Sequence, residues 1–298
     1  MTLQELRYLV ALADHRHFGR AAAACHVSQP TLSTQLKKLE AFLGTALFER
    51  TNKTVDITPA GAPIVAKARR VLAEAESLVA LARAQTGPLV GPLRLGVIPT
   101  LGPYLLPWLV PALTRAYPQL RLIVDEDLTD RLIERIEAHK CDAALVALPV
   151  GRGDLETRAL FDEPFFYVGQ RGRTRTKGKA VDPATLGGAD LLLLTDGHCL
   201  RDQALAACGL TQAPDGGDFR ATSLETIRQM VAAGMGCSLF PALALDESAG
   251  ARLDVRRLAP AASRRIGLVW RSSYPKAADL ELLAGLVRAH LPRSVRAA

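Results

Sequence analysis

A change in hydrophobic pattern across a short segment rich in glycine and proline most constrains how this chain folds. Before the segment, apolar residues recur at helical spacing, whereas after it short apolar runs of strand length alternate with helical stretches. The break consists of Thr86-Gly87-Pro88 and Gly91-Pro92. Since 298 residues suffice for about two domains, we expect a helical N-terminal domain followed by an α/β C-terminal domain.

Residues 1–58 are expected to form the first domain, which begins with three helices. The apolar spacing marks one helix at Leu6–Leu12 and a second at Arg20–Cys25, and a third begins after Ser28 as its N-cap, with Pro30 in the first turn. This layout is typical of a helix-turn-helix, in which the start of the second helix of the motif reads base edges. The candidate DNA-contacting residues on the third helix are Ser28, Gln29, Pro30, Thr31, Ser33, Thr34 and Lys37.

An alternating segment follows, at residues 47–58, and it predicts a hairpin wing whose Arg50 and Lys53 contact phosphates. Charge supports DNA binding only weakly, because the first 58 residues carry seven basic and five acidic side chains, a net of +2, while the whole chain carries +7. A plain three-helix domain is therefore the alternative. A denser basic run, from Arg171 to Lys179, is interpreted as a solvated loop.

Residues 59–86 are expected to form a linker helix between the two domains. Apolar residues follow helical spacing from Ile64 to Ala82, and nothing in the segment itself covers that stripe. A long apolar face of this kind usually packs against a partner helix. We therefore expect the linker to pair two copies of the chain.

The second domain is expected to span residues 92–298. Strands alternate with helices, and two segments, Phe161–Gln170 and Ile266–Trp270, are interpreted as crossings between two lobes. Lobe I would comprise residues 92–163 and 268–298, and lobe II residues 164–267. Ligands of open α/β sheets tend to bind in a cleft of this kind.

Two of the five cysteines lie where helix geometry keeps them apart. The run from Leu200 to Ala207 predicts a short helix with Asp202 in its first turn and Gly209 at its end. Nine residues of helix separate the α-carbons of Cys199 and Cys208 by roughly 13 Å, whereas a disulfide tolerates at most about 7 Å. A bond between them would have to unwind the helix, as in a redox switch; the alternative is two buried thiols that act as small apolar residues.

Cys199 is expected to be the reactive thiol of the pair. It lies at the predicted helix start, where unpaired N–H groups favour thiolate, and His198 and Arg201 would add positive charge or donors. The other cysteines, Cys25, Cys141 and Cys237, lie in apolar runs and are interpreted as core residues. No paired zinc-ligand spacing occurs, so we expect no metal.

Neither a secretory signal nor a membrane span of about 18 apolar residues is evident, so we expect a cytoplasmic protein without membrane contact. In the cytosol ordinary thiols stay reduced, so any disulfide would be transient.

Several motifs resemble those of one family. In the N-terminal domain they are Phe18-Gly19-Arg20-Ala21-Ala22, Val27-Ser28-Gln29-Pro30-Thr31-Leu32-Ser33, Leu47-Phe48-Glu49-Arg50 and Thr58-Pro59-Ala60-Gly61. In the C-terminal domain they are Ile98-Pro99-Thr100-Leu101-Gly102-Pro103, Leu160-Phe161-Asp162-Glu163-Pro164, Asp196-Gly197-His198-Cys199-Leu200-Arg201-Asp202 and Ala221-Thr222-Ser223-Leu224-Glu225-Thr226. Together they resemble the peroxide-sensing branch of the LysR-type transcriptional regulators over nearly the whole chain.

The resemblance implies a winged helix-turn-helix, a long linker helix and a two-lobed, periplasmic-binding-protein-like α/β regulatory domain. It implies that Cys199 reacts with hydrogen peroxide and that Cys208 then forms a reversible disulfide with it. The peroxide pocket would be formed by Thr100, Thr129, His198, Arg201 and Asp202, with an arginine from the pair Arg264-Arg265. Its implied partners are promoter DNA of antioxidant genes, further copies of the chain in a homotetramer, RNA polymerase and a cellular thiol reductant, without a cofactor.

Two other functions are compatible with the sequence. One is a regulator of the same family whose cleft binds a small metabolite, with Cys199 and Cys208 incidental. The other is a thiol peroxidase whose helix-turn-helix is merely structural. Replacing Cys199 tests for the metabolite-binding regulator, because a ligand-gated regulator should keep its response. A recycling partner for the thiol, together with no operator binding, would indicate the peroxidase.

Overall fold

A computed structural model of the chain describes residues 1–50, 55–83, 87–151, 154–172, 178–186, 190–212, 221–245, 252–292 and 294–298. The chain divides into two compact units, Met1–Thr86 and Gly87–Ala298. No helix among the described residues is long and apolar enough to cross a membrane.

The N-terminal unit contains the predicted three helices, a two-stranded hairpin and a long helix. Their bounds are α1 Leu3–His15, α2 Phe18–Ala24, α3 Gln29–Leu43, β1 Phe48–Arg50, β2 Val55–Ile57 and α4 Gly61–Arg83. Local capping explains the starts of α1 and α3, because Thr2 and Glu5 form a capping box and the Ser28 side chain accepts from the Thr31 N–H. The core is formed by apolar residues at helical spacing, among them Leu9, Leu12, Leu32 and Leu36. The tip of the hairpin, including Lys53, lies outside the described residues.

Helix α4 begins at Gly61, two residues later than the predicted start. The buried Thr58 hydroxyl accepts from the Gly61 N–H at 2.8 Å and donates to the Ala46 carbonyl at 2.8 Å, which fixes the end of the hairpin to the helix. A side chain on Gly61 would place its Cβ 2.3 Å from the Leu47 carbonyl oxygen, so this position requires glycine.

The first half of α4 is partly covered by other elements of its own unit, although nothing in the linker segment itself covers the apolar stripe. Val65 and Ala68 are buried in the core, and Arg69 forms a two-pronged ion pair with Asp14 of α1. Farther along, Leu78 is 70% exposed. Among the described side chains of α4, the exposed apolar ones are therefore Val71 near its middle and Leu78 and Val79 farther along.

The C-terminal unit alternates strands and helices as predicted. Its elements are β3 Gly91–Val97, α5 Gly102–Ala116, β4 Leu120–Glu126, α6 Thr129–Glu137, β5 Ala143–Leu148, β6 Leu155–Gln170, β7 Ala180–Val181, α7 Cys199–Ala207, α8 Leu224–Ala232, β8 Ser238–Pro241, β9 Leu253–Leu258, β10 Ser263–Arg271, α9 Ala277–Ala289 and β11 Arg296–Ala297. Two short 3-10 helices lie at Pro183–Leu186 and Ala242–Ala244.

The strands pair in the order β4-β3-β5-β10-β6-β9-β7, and β8 and β11 also pair with β6. Strands β4 and β5 run parallel to β3, whereas β10 runs antiparallel to both β5 and β6. Because β3 and β4 are parallel neighbours, the loops that follow them lie at the same edge of the sheet. These loops lead to Thr100 and Thr129.

Strand β6 passes from one hydrophobic core to another. Phe161 is buried in a core with the elements from β3 to β5 and α9, while Tyr167 and Val168 belong to a second core with α7 and α8. On the returning strand β10, Ile266 and Leu268 are both buried in the first core. We use lobe I for the first core and its elements, and lobe II for the second. The crossing lies around Glu163 on β6 and Arg264 on β10, which face each other in register.

Candidate functional site

Helix α7 carries the two thiols singled out by the sequence. It spans Cys199–Ala207, one residue more than predicted, with Cys208 as its C-cap. Gly209 has a φ of +69° and ends the helix as predicted. The Leu210 N–H donates to the Leu205 carbonyl at 2.9 Å, and the Gly209 N–H donates to the Ala206 carbonyl at 3.1 Å. These are the two backbone hydrogen bonds of a Schellman motif. The C-terminus of α7 is therefore determined by local sequence.

Cys199 and Cys208 are free thiols at opposite ends of that helix. Cys199 is half-buried and packs against the core of lobe I, whereas Cys208 is 3% exposed and lies inside the core of lobe II. The two cysteines are nine positions apart along the helix, which holds their α-carbons roughly 13 Å apart. A disulfide therefore requires both an unwound helix and the departure of Cys208 from the second core.

Cys199 lies among groups that favour its thiolate, yet its pKa is raised above the ordinary value. Burial is the largest cause and outweighs the charge of Arg264, a hydrogen bond from the Thr129 hydroxyl and one from the Leu200 N–H. Asp202 adds to the increase. The N–H group at the helix start favours the thiolate as expected, but desolvation, which the sequence does not show, outweighs it and the other favourable contributions.

The neighbours on α7 differ from their expected roles. Burial lowers the pKa of His198, so its imidazole carries less positive charge at neutral pH than an ordinary histidine. Arg201 pairs with Asp196 at 2.9 Å and donates to the Leu194 carbonyl at 3.1 Å, so its guanidinium has partners away from the thiol. Asp202 is exposed. The cation that acts on Cys199 is Arg264, from a distant strand.

Arg264 lies fully buried at the lobe crossing, and each of its three guanidinium nitrogens donates a hydrogen bond. Its Nη1 donates to the Thr100 hydroxyl at 2.8 Å, its Nη2 to the Thr100 carbonyl at 3.0 Å, and its Nε to a Glu163 carboxylate oxygen at 2.8 Å. Arg265 points to the other face of the strand and pairs with the partly exposed Asp162. Arg264 is thus the residue of the pair that belongs to the Cys199 site.

Two threonines contact the members of this arrangement, Thr100 at Arg264 and Thr129 at Cys199. Thr100 is 2% exposed and accepts from Arg264 in the loop after β3. Thr129 lies at the first residue of α6, and apart from the thiol its buried hydroxyl has no hydrogen-bond partner among the described residues. Cys199, Arg264, Thr100 and Thr129 therefore form a set of one thiol, one cation and two hydroxyls.

The remaining cysteines have less favourable surroundings. Burial raises the pKa of Cys141 and of Cys237 to about 11, and it also raises that of Cys25. Among the five cysteines, Cys199 alone combines the charge of an arginine with a side-chain hydrogen bond. Cys237 lies close enough to Cys208 for a charge on one to affect the other.

Comparison with known proteins covers both units of the chain. Residues 3–62 match the model described as bacterial regulatory helix-turn-helix protein, lysR family, and residues 86–292 match the LysR substrate binding domain. The Escherichia coli DNA-binding transcriptional dual regulator OxyR is 43% identical over 293 residues, which is 98% of this chain and 96% of that protein. The chain belongs to the LysR-type transcriptional regulators, in the OxyR branch.

Further relatives and solved structures agree with this assignment. A probable hydrogen peroxide-inducible genes activator from Mycobacterium avium is 40% identical, over 96% of this chain and 93% of that protein. A full-length OxyR variant from Pseudomonas aeruginosa superposes with a TM-score of 0.82 at 44% identity, covering 97% of this chain and 95% of that one. A hydrogen peroxide-bound OxyR variant from Corynebacterium glutamicum gives a TM-score of 0.64 at 35% identity, covering 97% and 92%.

In this LysR-type regulator the candidate DNA-contacting residues lie at the start of α3. Six of them, Ser28, Gln29, Pro30, Thr31, Thr34 and Lys37, are exposed, whereas Ser33 is half-buried. The hydroxyls of Ser28 and Thr31 share a hydrogen bond of 2.7 Å, and Ser28 also caps the helix. Arg50 ends strand β1. Ser28 is therefore the N-cap of α3, as the sequence predicted.

Several residues of this regulator were missed or misread from sequence. Glu163 was not predicted as a site residue, although its carboxylate holds Arg264. His17 is another such residue, since its Nδ1 accepts from the Gly19 and Arg20 N–H groups and caps α2. Glu40 accepts from the Leu47 and Phe48 N–H groups and joins α3 to the wing. A sequence signal for the Glu163–Arg264 contact does exist. Two consecutive acids, Asp162-Glu163, lie on one predicted crossing segment, and two consecutive arginines, Arg264-Arg265, directly precede the other. Antiparallel pairing of those segments places the acids opposite the arginines.

Proposed function

We propose that this LysR-type protein is a transcriptional regulator switched by hydrogen peroxide at Cys199. The observation that carries the proposal is the surroundings of that thiol, where a buried arginine and a threonine hydroxyl face a sulfur at a helix start, and a second free thiol lies at the other end of the same helix. The names of its relatives, which include hydrogen peroxide-inducible genes activators, support the same function.

The chemistry proceeds in two balanced steps. The Cys199 thiolate attacks one peroxide oxygen, the O–O bond breaks, and the other oxygen leaves as hydroxide and takes up a proton to become water. Cys208 then attacks the sulfenic sulfur, forms the disulfide and releases a second water. A cellular thiol reductant returns two electrons and restores both thiols. Arg264, Thr100 and Thr129 supply donors for peroxide and for the departing hydroxide.

The disulfide acts as a switch because the resting fold opposes it. Forming the bond removes most of α7 and takes Cys208 out of the lobe II core, so the second lobe must repack. We infer that this repacking changes how copies of the chain associate, and thereby alters promoter activation of antioxidant genes. The exposed Leu78 and Val79 on α4 support association through the linker helix, in a homodimer that assembles into a homotetramer.

DNA binding is assigned to the wing and to the exposed start of α3. Gln29, Pro30, Thr31, Ser33 and Thr34 would meet base edges, and Lys37, Arg50 and Lys53 would meet phosphates. Replacing Arg50 should then weaken binding to all sequences and reduce its salt dependence, whereas replacing Thr31 should relax sequence choice. RNA polymerase is the proposed downstream partner. We expect no catalytic turnover of peroxide without an added reductant.

Intact mass after alkylation, with and without peroxide, tests the thiol chemistry. The wild type should lose two alkylatable thiols, Cys199→Ser should lose none, and Cys208→Ser should accumulate a sulfenic acid that a specific reagent traps. Cys237→Ser is the matched control, because Cys237 is also partly buried beside the lobe II core, and it should behave as wild type. A wild-type response that persists in Cys199→Ser would instead support a ligand-gated regulator.

A further inference from the structure

The lobe crossing contains a buried ion pair of which the proposed chemistry at Cys199 uses only the arginine. Glu163 and Arg264 face each other across β6 and β10, and both side chains are 0% exposed. One residue away in the same register, Asp162 and Arg265 form the same kind of pair, but 37% and 56% exposed. The chain thus holds two chemically similar pairs, of which only one is shielded from water.

The Glu163 carboxylate is bonded on both of its oxygens. One oxygen accepts from Arg264 Nε at 2.8 Å, and the other accepts from the Leu243 N–H at 2.8 Å, at the 3-10 helix Ala242–Ala244. Both partners are donors. Glutamine offers only one acceptor oxygen together with an NH₂ group, so at this position it would place a donor against a donor whichever way the amide is turned.

Burial of this pair is not explained by stability. Removing two charges from water costs several kcal/mol per ion, and an ion pair in the interior is often no more stable than apolar side chains of the same volume. What the carboxylate does provide is a fixed orientation, because it bonds Nε while Thr100 bonds both terminal nitrogens of the guanidinium. Arg264 is held in one plane by three bonds.

We infer that Glu163 is a positioning residue for the Cys199 site, fixing Arg264 against Thr100 and beside the thiol and tying that arrangement to the Leu243 backbone. The inference rests on the proposed function of Cys199. Arg264 is the strongest of the groups that favour the Cys199 thiolate, the others being the Thr129 hydroxyl and the Leu200 N–H, with Asp202 opposing them. Glu163 influences the thiol through Arg264.

The test compares Glu163→Gln with the matched control Asp162→Asn, which removes the exposed carboxylate on the neighbouring residue. Two rates are measured at Cys199 across pH by mass spectrometry of its peptide: alkylation by iodoacetamide and oxidation by hydrogen peroxide. If Glu163→Gln displaces the guanidinium, the alkylation midpoint should move to higher pH, and both rates at pH 7.5 should fall by about tenfold for each unit of that shift. Asp162→Asn should stay within about twofold of wild type, since its pair is exposed.

A folded Glu163→Gln variant with the wild-type pH profile would overturn the inference, as would an equal shift in Asp162→Asn. Should Glu163→Gln fail to fold, Glu163→Asp takes its place, because it keeps the charge but is one methylene too short to reach both donors, and a smaller shift in the same direction is expected. Failure of both to fold would also overturn the inference, since the pair would then be required by the fold. If wild-type Cys199 does not react with peroxide, the proposed function fails, while the alkylation profile still tests the role of Glu163.

Discussion

Substituting Gly209 by alanine should make the disulfide of Cys199 and Cys208 easier to form. Gly209 has a φ of +69°, and a Cβ added there would meet nothing within 4 Å, so alanine adds backbone strain without a clash. The left-handed conformation costs an L-residue about 1–2 kcal/mol. That cost falls on the reduced protein, whose α7 needs this cap, and it is relieved when oxidation unwinds the helix.

The expected shift follows from the same free energy. For a two-electron couple about 1.4 kcal/mol corresponds to 30 mV, so Gly209→Ala should lower the reduction potential by roughly 20–40 mV. The potential is measured in glutathione buffers of stepped ratio, followed by alkylation and mass analysis. Gly44→Ala is the control, because Gly44 ends α3 at a φ of +67° with equally open space, in the other unit. An unchanged potential in Gly209→Ala, or an equal shift in Gly44→Ala, would refute the claim that oxidation unwinds α7.

Three further predictions follow from the site and the fold. Because the pKa of Cys199 is raised, only a minor fraction is thiolate at neutral pH, and its oxidation rate should increase about tenfold per pH unit from 6.5 to 8; stopped-flow rates that level off below pH 7 would contradict this. Arg264→Lys keeps a cation but loses the two hydrogen bonds of the guanidinium to Thr100. Peroxide oxidation of Cys199 should slow about ten- to a hundredfold, while its alkylation by iodoacetamide changes far less. Equal losses in both rates would mean that Arg264 acts only by favouring the Cys199 thiolate. Gly61→Ala should lower the free energy of unfolding of the N-terminal unit by about 2 kcal/mol or more in urea. Gly285→Ala, which meets open space in α9, should not lower the stability of the C-terminal unit. Equal changes in unfolding free energy for the two variants would refute the contact with Leu47.

Local signals in the sequence were sufficient to predict the elements that hold the functional residues. The Ser28 cap and the Gly209 terminus act within a few residues of the helices they delimit, so α3 and α7 could be placed without knowledge of the tertiary structure. The strands of lobe I could likewise be predicted, because β3, β4 and β5 are apolar runs of strand length separated by helical stretches.

The electrostatics of the site could not be predicted from local sequence, because they depend on residues far apart in the chain that only the family resemblance brought together. Arg264 and Glu163 are 101 positions apart, and Arg264 and Thr100 are 164 apart. Local reasoning about Cys199 considered the helix start and the adjacent His198 and Arg201, whereas the pKa depends first on burial and then on Arg264. Desolvation is a property of the packed fold, which explains why local sequence did not indicate the raised pKa of Cys199.

A raised pKa at Cys199 is compatible with fast reaction toward peroxide, because the ground-state charge of the sulfur is only part of the barrier. Breaking the O–O bond places developing negative charge on the departing oxygen, and donors held in place around it lower the transition state more than they lower the ground state. The guanidinium of Arg264 is fixed by Glu163 and Thr100 before peroxide arrives, so it need not reorganise during the reaction. The same burial that raises the thiol's pKa also strengthens these donors by excluding water. The site therefore holds less thiolate in the resting state but stabilises the leaving hydroxide in the transition state. This combination favours a small, polar oxidant such as peroxide over an electrophile whose reaction depends only on the nucleophilicity of the sulfur.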